Sequence, residues 1–409
     1  MPLLTSPLVG PLTEDWRDTL DTLAQTRGWP TSREPERLAV HVANLSLAYN
    51  TEGASNSLRT RDALSARLGF SFPRDVPKAA GAIRELVATG TLAMPADRPL
   101  RVLDLGAGLG ASSWGVARAL EALAPSARGR IESTSVDDDA EALALAVAIA
   151  RARGARPAPL ELAIEPLHAS VAQGLSRAKG PFDLVLLGQV LSEVGDEGDA
   201  QRLERHVNLV HSSLDAIGSH GSVVIVEPAL KNRTRHLHAV RDALVTRRAG
   251  NVTVFAPCVH EAPCPALAEE GQWCHEDLGV DLPAWLVPVA RAAGLRWQGL
   301  TFSYLVLRKD KRSLRELARR ISSAALVRIV SGAIVTKGKH EAFVCGELER
   351  EGVLALARVR ARRLEREASE SNRPWEDLAR GDLLACDPPL DAAKPRVRQD
   401  CRLSRVTPS

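Results

Sequence analysis

Cys258, Cys264 and Cys274 fall within 17 residues, with His260 and His275 close by and Pro257, Pro263 and Pro265 alongside. Thiolates at that density suit a metal centre, because soft sulfur donors take zinc or an iron–sulfur cluster and either asks for four ligands. Flanking prolines stiffen the loop and hold its ligands ready. Cys345, in the apolar run Ala342-Phe343-Val344-Cys345, is the candidate fourth donor, since a strand can return it to the other three. Other chemistry stays open at this point: His260 or His275 completing a zinc site, Cys258 after Pro257 acting as a covalent nucleophile, or thiols buried for packing alone. A nucleophile accounts for one cysteine and not for three, so a metal or cluster is the stronger expectation.

A second constellation lies upstream, where Arg101-Val102-Leu103-Asp104-Leu105 runs straight into Gly106-Ala107-Gly108-Leu109-Gly110 and then a helical pattern. Glycines let the backbone turn tightly and approach a ligand with no Cβ in the way, while the N–H groups that open the next helix receive a polar or anionic group. The spacing is G-x-G-x-G and not the G-x-G-x-x-G of dinucleotide folds. Asp104 precedes the glycines, and the next acid at a strand end, Asp137, lies beyond the offset of roughly 20 residues of that motif. Gln189, Glu193 and Glu227 follow two later apolar runs. Asp104, Asp137, Gln189 and Glu227 are thus expected at the carboxyl ends of adjacent strands, where open α/β sheets bind ligands.

The elements that must position these residues follow from periodicity. Residues 1–95 carry helical patterns broken at Pro30, Gly53 and Pro73, and read as an N-terminal helical cap. From 101 to 222 short apolar strands alternate with helices, the pattern of a parallel sheet covered on both faces. The strands are expected at 101–105, 131–136, 160–164, 182–187 and 221–228. Leu295-Arg296-Trp297 and 301–307 read as a terminal hairpin closing the sheet. The expected domains are a cap (1–95), a core (96–250), a Cys-rich insertion (251–290), a hairpin with a basic segment (291–364) and a disordered tail (365–409) rich in proline and polar residues.

Composition sets the outer bounds. A chain of 409 residues with 45% hydrophobic and 25% charged residues belongs to the soluble globular class and needs more than one folding unit. Its longest apolar run, 142–150, is far short of the ~20 residues of a membrane span. No signal or transit pattern opens it, so the expected place is the cytoplasm and no membrane partner is expected. Net charge is +3, yet residues 301–409 hold 23 Lys+Arg against 15 Asp+Glu. Arg308-Lys309-Asp310-Lys311-Arg312, Arg315, Arg319, Arg320, Arg328 and Lys337-Gly338-Lys339-His340 are candidates for tracking a polyanion's phosphates.

The glycine turn, with its preceding acid, resembles the first motif of the class I S-adenosylmethionine (SAM) methyltransferases. That resemblance implies an α/β, Rossmann-like sheet. It makes Asp104, Gly106, Gly108 and Gly110 one wall of a SAM site, with Asp137 on the ribose and Gln189 on the ligand side. Further along stand Trp114, Asp183, Leu191-Ser192-Glu193, Val226-Glu227-Pro228, Arg241-Asp242, Ala256-Pro257-Cys258-x-His260, Cys264-Pro265, Trp273-Cys274-His275 and Ser303-Tyr304. In this order they resemble the Rsm-type methyltransferase-like proteins of small ribosomal subunit assembly, over roughly residues 35–350. The chain departs from that pattern at Ala229-Leu230-Lys231, where Gly-Thr-Pro is expected, and at Trp375-Glu376-Asp377, where Trp-Gly-Asp is expected.

The resemblance implies a [4Fe–4S] cluster on Cys258, Cys264, Cys274 and Cys345, with zinc as the alternative, and small-subunit rRNA as partner of a monomeric protein. An enzyme that methylates the small subunit or its rRNA is the first expectation. An RNA-binding assembly factor without turnover is the second, and a small-molecule methyltransferase with a structural zinc the third. No Asn-Pro-Pro-Tyr motif marks the acceptor, so catalytic residues stay unassigned. Glu193 or Gln189 are the base candidates, against a plain surface or capping role for Glu193.

Overall fold

The computed structural model describes residues 9–49, 59–195, 198–247 and 251–406. Four cap helices come first, α1 (Glu14–Gln25), α2 (Pro35–Tyr49), α3 (Arg61–Ala66) and α4 (Phe72–Ala88). A π-helical turn, Arg67–Ser71, joins α3 to α4 without a break, and Pro73 sits in the first turn of α4, where its missing N–H costs nothing.

The central sheet follows as β1 (Leu100–Leu105), α5 (Ala111–Leu123), β2 (Gly129–Asp137), α6 (Ala140–Gly154), β3 (Leu160–His168), α7 (Val171–Arg177), β4 (Phe182–Gly188), α8 (Val190–Glu193), α9 (Arg202–Ala216), β5 (Ile217–Glu227) and α10 (Lys231–Arg247). After it come β6 (Thr253–Ala256), β7 (Glu276–Leu278), α11 (Val287–Ala292), β8 (Leu300–Arg308) and α12 (Leu314–Arg319). The strand order is β3-β2-β1-β4-β5-β8-β6, with β7 also on β8. β1 to β5 are parallel, whereas β8 runs antiparallel to β5, β6 and β7. This is the Rossmann-like arrangement expected, closed by one reversed strand.

Strand alternation assigns the two faces. Val102, Leu184, Leu186 and Val224 join the cap's Trp16, Phe70 and Phe72 in one apolar core, while Leu103, Leu105, Val185 and Ile225 point the other way towards α9 and α10. Local capping fixes the helix starts: Asp139 accepts from the N–H groups of Glu141 and Ala142, and Ser170 and Gln173 form a capping box. Among the described residues no helix is long and apolar enough to cross a membrane.

Three boundaries differ from expectation. Residues 295–297 form no strand; the partners of β8 are β5, β6 and β7. The expected Cys-rich insertion, 251–290, is not separate from the sheet, since it contains β6 and β7, both paired with β8. The supposed disordered tail is folded over its described part, to residue 406. β9 (Ala325–Ile329), β10 (Ile334–Thr336), β11 (Lys339–Arg350), β12 (Val353–Leu364), β13 (Leu383–Asp387) and β14 (Arg402–Arg405) make a second, antiparallel sheet in the order β10-β11-β9-β13-β14, with β12 on β11. Trp375, 1% exposed, joins Val327, Val344, Leu384, Cys386 and Cys401 in its core. The polar and proline-rich composition belongs to the turns around β13 and β14. The pairing of β13 with a strand more than fifty positions earlier leaves no local period to read.

Candidate cofactor cleft and cysteine cavity

β1 delivers the chain to the glycine turn, and Gly106, Gly108 and Gly110 all have left-handed φ, at 65°, 50° and 82°. A side chain would be strained at each, but the three differ in what it would meet. At Gly106 it would strike Val190, and at Gly110 Ile164 and Ala146, so these two permit close packing. At Gly108 it would enter open space. The Gly108 N–H donates to Asp137 Oδ2 at 2.7 Å, and Asp137 Oδ1 accepts from the Asp139 N–H at 2.9 Å. One carboxylate thus ties the turn after β1 to the end of β2.

Gly106, Gly108, Asp137, Gln189 and Glu193 line a cleft of about 450 Å³, within the usual range for small-molecule sites. Asp104 does not. It is 0% exposed beneath the turn, where Oδ2 accepts from the Ser113 hydroxyl at 2.7 Å and the Ser113 N–H at 3.2 Å. Burial pushes its pKa up to about 7 against those hydrogen bonds, and Oδ1 is left without a partner. Asp104 therefore holds the start of α5 and forms no wall, and Gly110 leaves room for Ile164 of β3 and Ala146 of α6. Glu227, 2% exposed, is likewise beneath the rim: Oε1 accepts from the Leu191 N–H at 2.8 Å, and burial lifts the carboxyl to about 8. Burial also raises Glu193, which, unlike a plain surface acid, faces the cleft. Of the four strand-end residues expected at the rim, Asp137 and Gln189 reach it.

The opposite wall was not legible in the sequence. Arg59, Arg67, Asp75 and Lys78 of the cap line the same cleft. Arg59 meets Asp138 at 2.7 Å and Arg67 meets Asp139 at 3.3 Å, while Asp75 lies 3.0 Å from Lys78 and 3.2 Å from Arg74. The available signal was the acid and base three positions apart at Asp75 and Lys78.

Cys258, Cys264, Cys274 and Cys345 line one cavity of about 50 Å³ between the two sheets, with His260 and His275. Arg241 positions the first loop, donating to the Ala262 carbonyl at 2.7 Å. Arg235 gathers the carbonyls of Ala266, Glu269 and Gln272 at 2.9, 2.8 and 2.7 Å. Cys345 comes from β11, in register with Arg358 of β12 and Arg328 of β9, and its Sγ lies 3.8 Å from His260 Nε2. Burial, then the neighbouring thiols, pushes Cys274 up to about 12 and Cys345 well above the ordinary thiol range. Cys264 rises to about 11 for the same reasons. Burial, then Arg241, lowers His260 to about 3, and burial, then Arg380, lowers His275 to about 4. Among the described residues no three His, Cys, Asp or Glu side chains stand close enough to hold a single metal ion. Cys386 and Cys401 are away from this cavity, in the core of the second sheet.

Much of the basic segment is spent internally. Arg308 donates to Ser222 Oγ at 2.6 Å and pairs with Asp310, and Lys309 donates to the Ile217 carbonyl at 2.8 Å. Arg315 and Arg319 both hold Glu347, Arg320 holds Glu316, Lys339 holds Glu341 and Arg328 is buried on Glu85. These residues make intramolecular pairs, those of Arg315 and Arg320 at the exposed surface.

None of the curated proteins compared matches this chain. Among solved structures it is similar to a Streptococcus mutans protein assigned as a SAM-dependent methyltransferase (15% identity, 55% of this chain and 47% of that one, TM-score 0.32). It spans about half the length of that protein. It is also similar to a methyltransferase from Pyrococcus furiosus (14%, 56% and 83%, 0.31) and to the plantazolicin methyltransferase BpumL in complex with SAH (9%, 68% and 98%, 0.32). The model of the family described as mitochondrial small ribosomal subunit Rsm22 matches residues 76–374. That span holds the glycine turn, Asp137, Gln189 and all four cysteines of the cavity, and covers well over half of the sequence: the chain belongs to the Rsm22 family.

Proposed function

We propose that this chain binds SAM in the cleft over Gly108 and acts as a methyltransferase on the small ribosomal subunit or its rRNA. The carrying observation is the Gly108–Asp137 juncture: an unobstructed backbone beside a carboxylate with lone pairs left for a ribose diol. When bound, SAM supplies a sulfonium methyl for in-line displacement. The protein's own part is to align an acceptor with it and to exclude water, which the cap wall of Arg67, Asp75 and Lys78 is placed to do. The ribosomal partner is supported by the family, whose description names the mitochondrial small ribosomal subunit.

The four cysteines are assigned to a [4Fe–4S] cluster. Zinc in a tetrahedron of bonds of about 2.3 Å draws its sulfurs within about 3.8 Å of one another. A cubane spreads four thiolates over a larger cage. Four thiols set round one shared cavity are the donors that such a cage requires. Their neighbours suit it as well, since Arg241, Arg358 and Arg380 line the cavity and offset the negative charge of four thiolates. Such a cluster would brace β6 and β7 against β11.

A second reading, an assembly factor that binds RNA without turnover, is favoured by one observation. Asp75 is locked between Arg74, Lys78 and Gln189, which takes the cap's acid out of base chemistry and leaves Glu193 as the remaining candidate in the cleft. Calorimetry with SAM, followed by methyl-transfer assays on immature small subunits, separates the two. Binding with transferred label supports the enzyme; binding without it leaves the assembly factor; no binding overturns the cofactor assignment. Anaerobic purification should give a brown protein with about four irons per chain, and stoichiometric zinc without iron would overturn the cluster.

A further inference from the structure

Gln189 follows β4 directly and has a left-handed backbone, φ 64°, although it is not glycine. Strain of that kind persists only where neighbours enforce it. Here the Gln189 N–H donates to the Val226 carbonyl at 2.7 Å, and its own carbonyl accepts from the Ser192 hydroxyl at 2.9 Å. The side chain is thereby aimed into the cleft, where its Nε2 donates to Asp75 Oδ2 at 3.2 Å.

That contact sets which end of the amide faces outward. Burial pushes the Asp75 carboxyl up, but Lys78 and Arg74 outweigh it and hold the group below its ordinary range, so it stays ionised and can only accept. The amide nitrogen must then face Asp75. Gln189 Oε1 is left as an acceptor turned away from it, and among the described residues no donor is bonded to it. Tyr49 and Phe72 lie in the same wall, as do Arg59 and Lys78. Flat aromatic groups and cations are what a nucleotide displaced from a stack requires.

We propose that Gln189, oriented by Asp75, selects the methyl acceptor, and that this acceptor is an RNA base carrying an exocyclic amine, whose N–H donates to Gln189 Oε1. Two hydrogens on such an amine allow one to be held while the nitrogen stays directed at the methyl donor. The inference rests on the cleft being the SAM site, and it assigns Gln189 to the acceptor instead of the cofactor. Asp75 acts through Gln189 and is a positioning residue.

The test uses the full chain saturated with S-adenosylhomocysteine and short single-stranded RNAs that differ at one base: adenine against purine, and cytosine against pyrimidin-2-one, each second member lacking only the amine. The wild type should bind the amine-bearing RNA roughly tenfold more tightly, the usual effect of one buried hydrogen bond. Gln189→Leu should bring that ratio to about one, and Asp75→Asn, which lets the amide turn over, should reduce it. S-adenosylhomocysteine affinity should stay within about twofold in both variants, which also reports that they fold. No amine preference in the wild type, an unchanged ratio in Gln189→Leu, or a loss of S-adenosylhomocysteine binding confined to Gln189→Leu would each overturn this assignment. Failure of the wild type to bind S-adenosylhomocysteine would instead remove the cofactor reading beneath it.

Discussion

Arg84 of α4 and Glu276 of β7 meet at 2.6 Å with both side chains 3% exposed, although 192 positions separate them in the sequence. Arg328 of β9 lies 2.7 Å from Glu85 and donates to the Tyr304 hydroxyl at 3.1 Å, and that hydroxyl donates to Glu85 at 2.9 Å. The cap, the central sheet and the second sheet are joined by one buried ionic group. Removing one partner strands a charge out of water, which typically costs about 3–5 kcal/mol. Arg84→Met should lose stability on that scale in urea unfolding, and Arg84→Met with Glu276→Leu should recover most of it. Equal losses in the single and double variants would show that the pair is not coupled.

Gly108→Ala should keep the fold and weaken S-adenosylhomocysteine binding by roughly tenfold or more. The new methyl group would meet a φ of 50° and stand where a ligand must approach. Calorimetry beside an unchanged far-ultraviolet spectrum checks it; wild-type affinity would place the cofactor elsewhere.

Glu227 gives a pH signature. Burial lifts its carboxyl to about 8 from an ordinary 4.5, so the folded chain holds a proton that the unfolded chain releases. Its contribution is complete below about pH 4.5 and is lost as pH rises towards 8. Asp104, raised to about 7 by burial, adds a slope of the same sign at lower pH. Glu227→Gln keeps the acceptor for the Leu191 N–H and should flatten the fall in stability between pH 5 and 8, read as thermal midpoints of the ligand-free protein. An identical slope in the variant would mean that Glu227 is ionised in the folded state.

Cys345→Ser and Cys386→Ser form a matched pair, since both thiols stand on strands of the second sheet but only the first lines the cavity. Cys345→Ser should lose most of the iron after anaerobic purification, and Cys386→Ser should retain it. Equal iron in the two would remove Cys345 from the ligand set.

Local spacing carried much of the site. Three alternating glycines after an apolar strand could be read as a turn with a ligand above it, and a density of thiols as one centre. What failed was of two kinds. Whether Asp104 and Glu227 face the cleft or the interior depends on pleat and depth, which no spacing encodes, and both turned out to be buried acids. Contacts between distant stretches were also invisible: Gln189 and Asp75 lie 114 positions apart, and the helical period of the cap carries no sign of the cleft wall it supplies. Residues 365–406 misled for a related reason. Their turns are rich in proline and polar groups, while the apolar strands Leu383–Asp387 and Arg402–Arg405 are short and find their partners far away.

The sulfur of Cys345 hangs from the second sheet, whereas Cys258, Cys264 and Cys274 lie in the loop between β6 and β7 of the first. During synthesis three thiols emerge well before the fourth, and they cannot be joined until β11 has carried Cys345 to the loop between β6 and β7. Whatever demands all four sulfurs can therefore settle only in a finished molecule, and its arrival is a timestamp on completed tertiary structure.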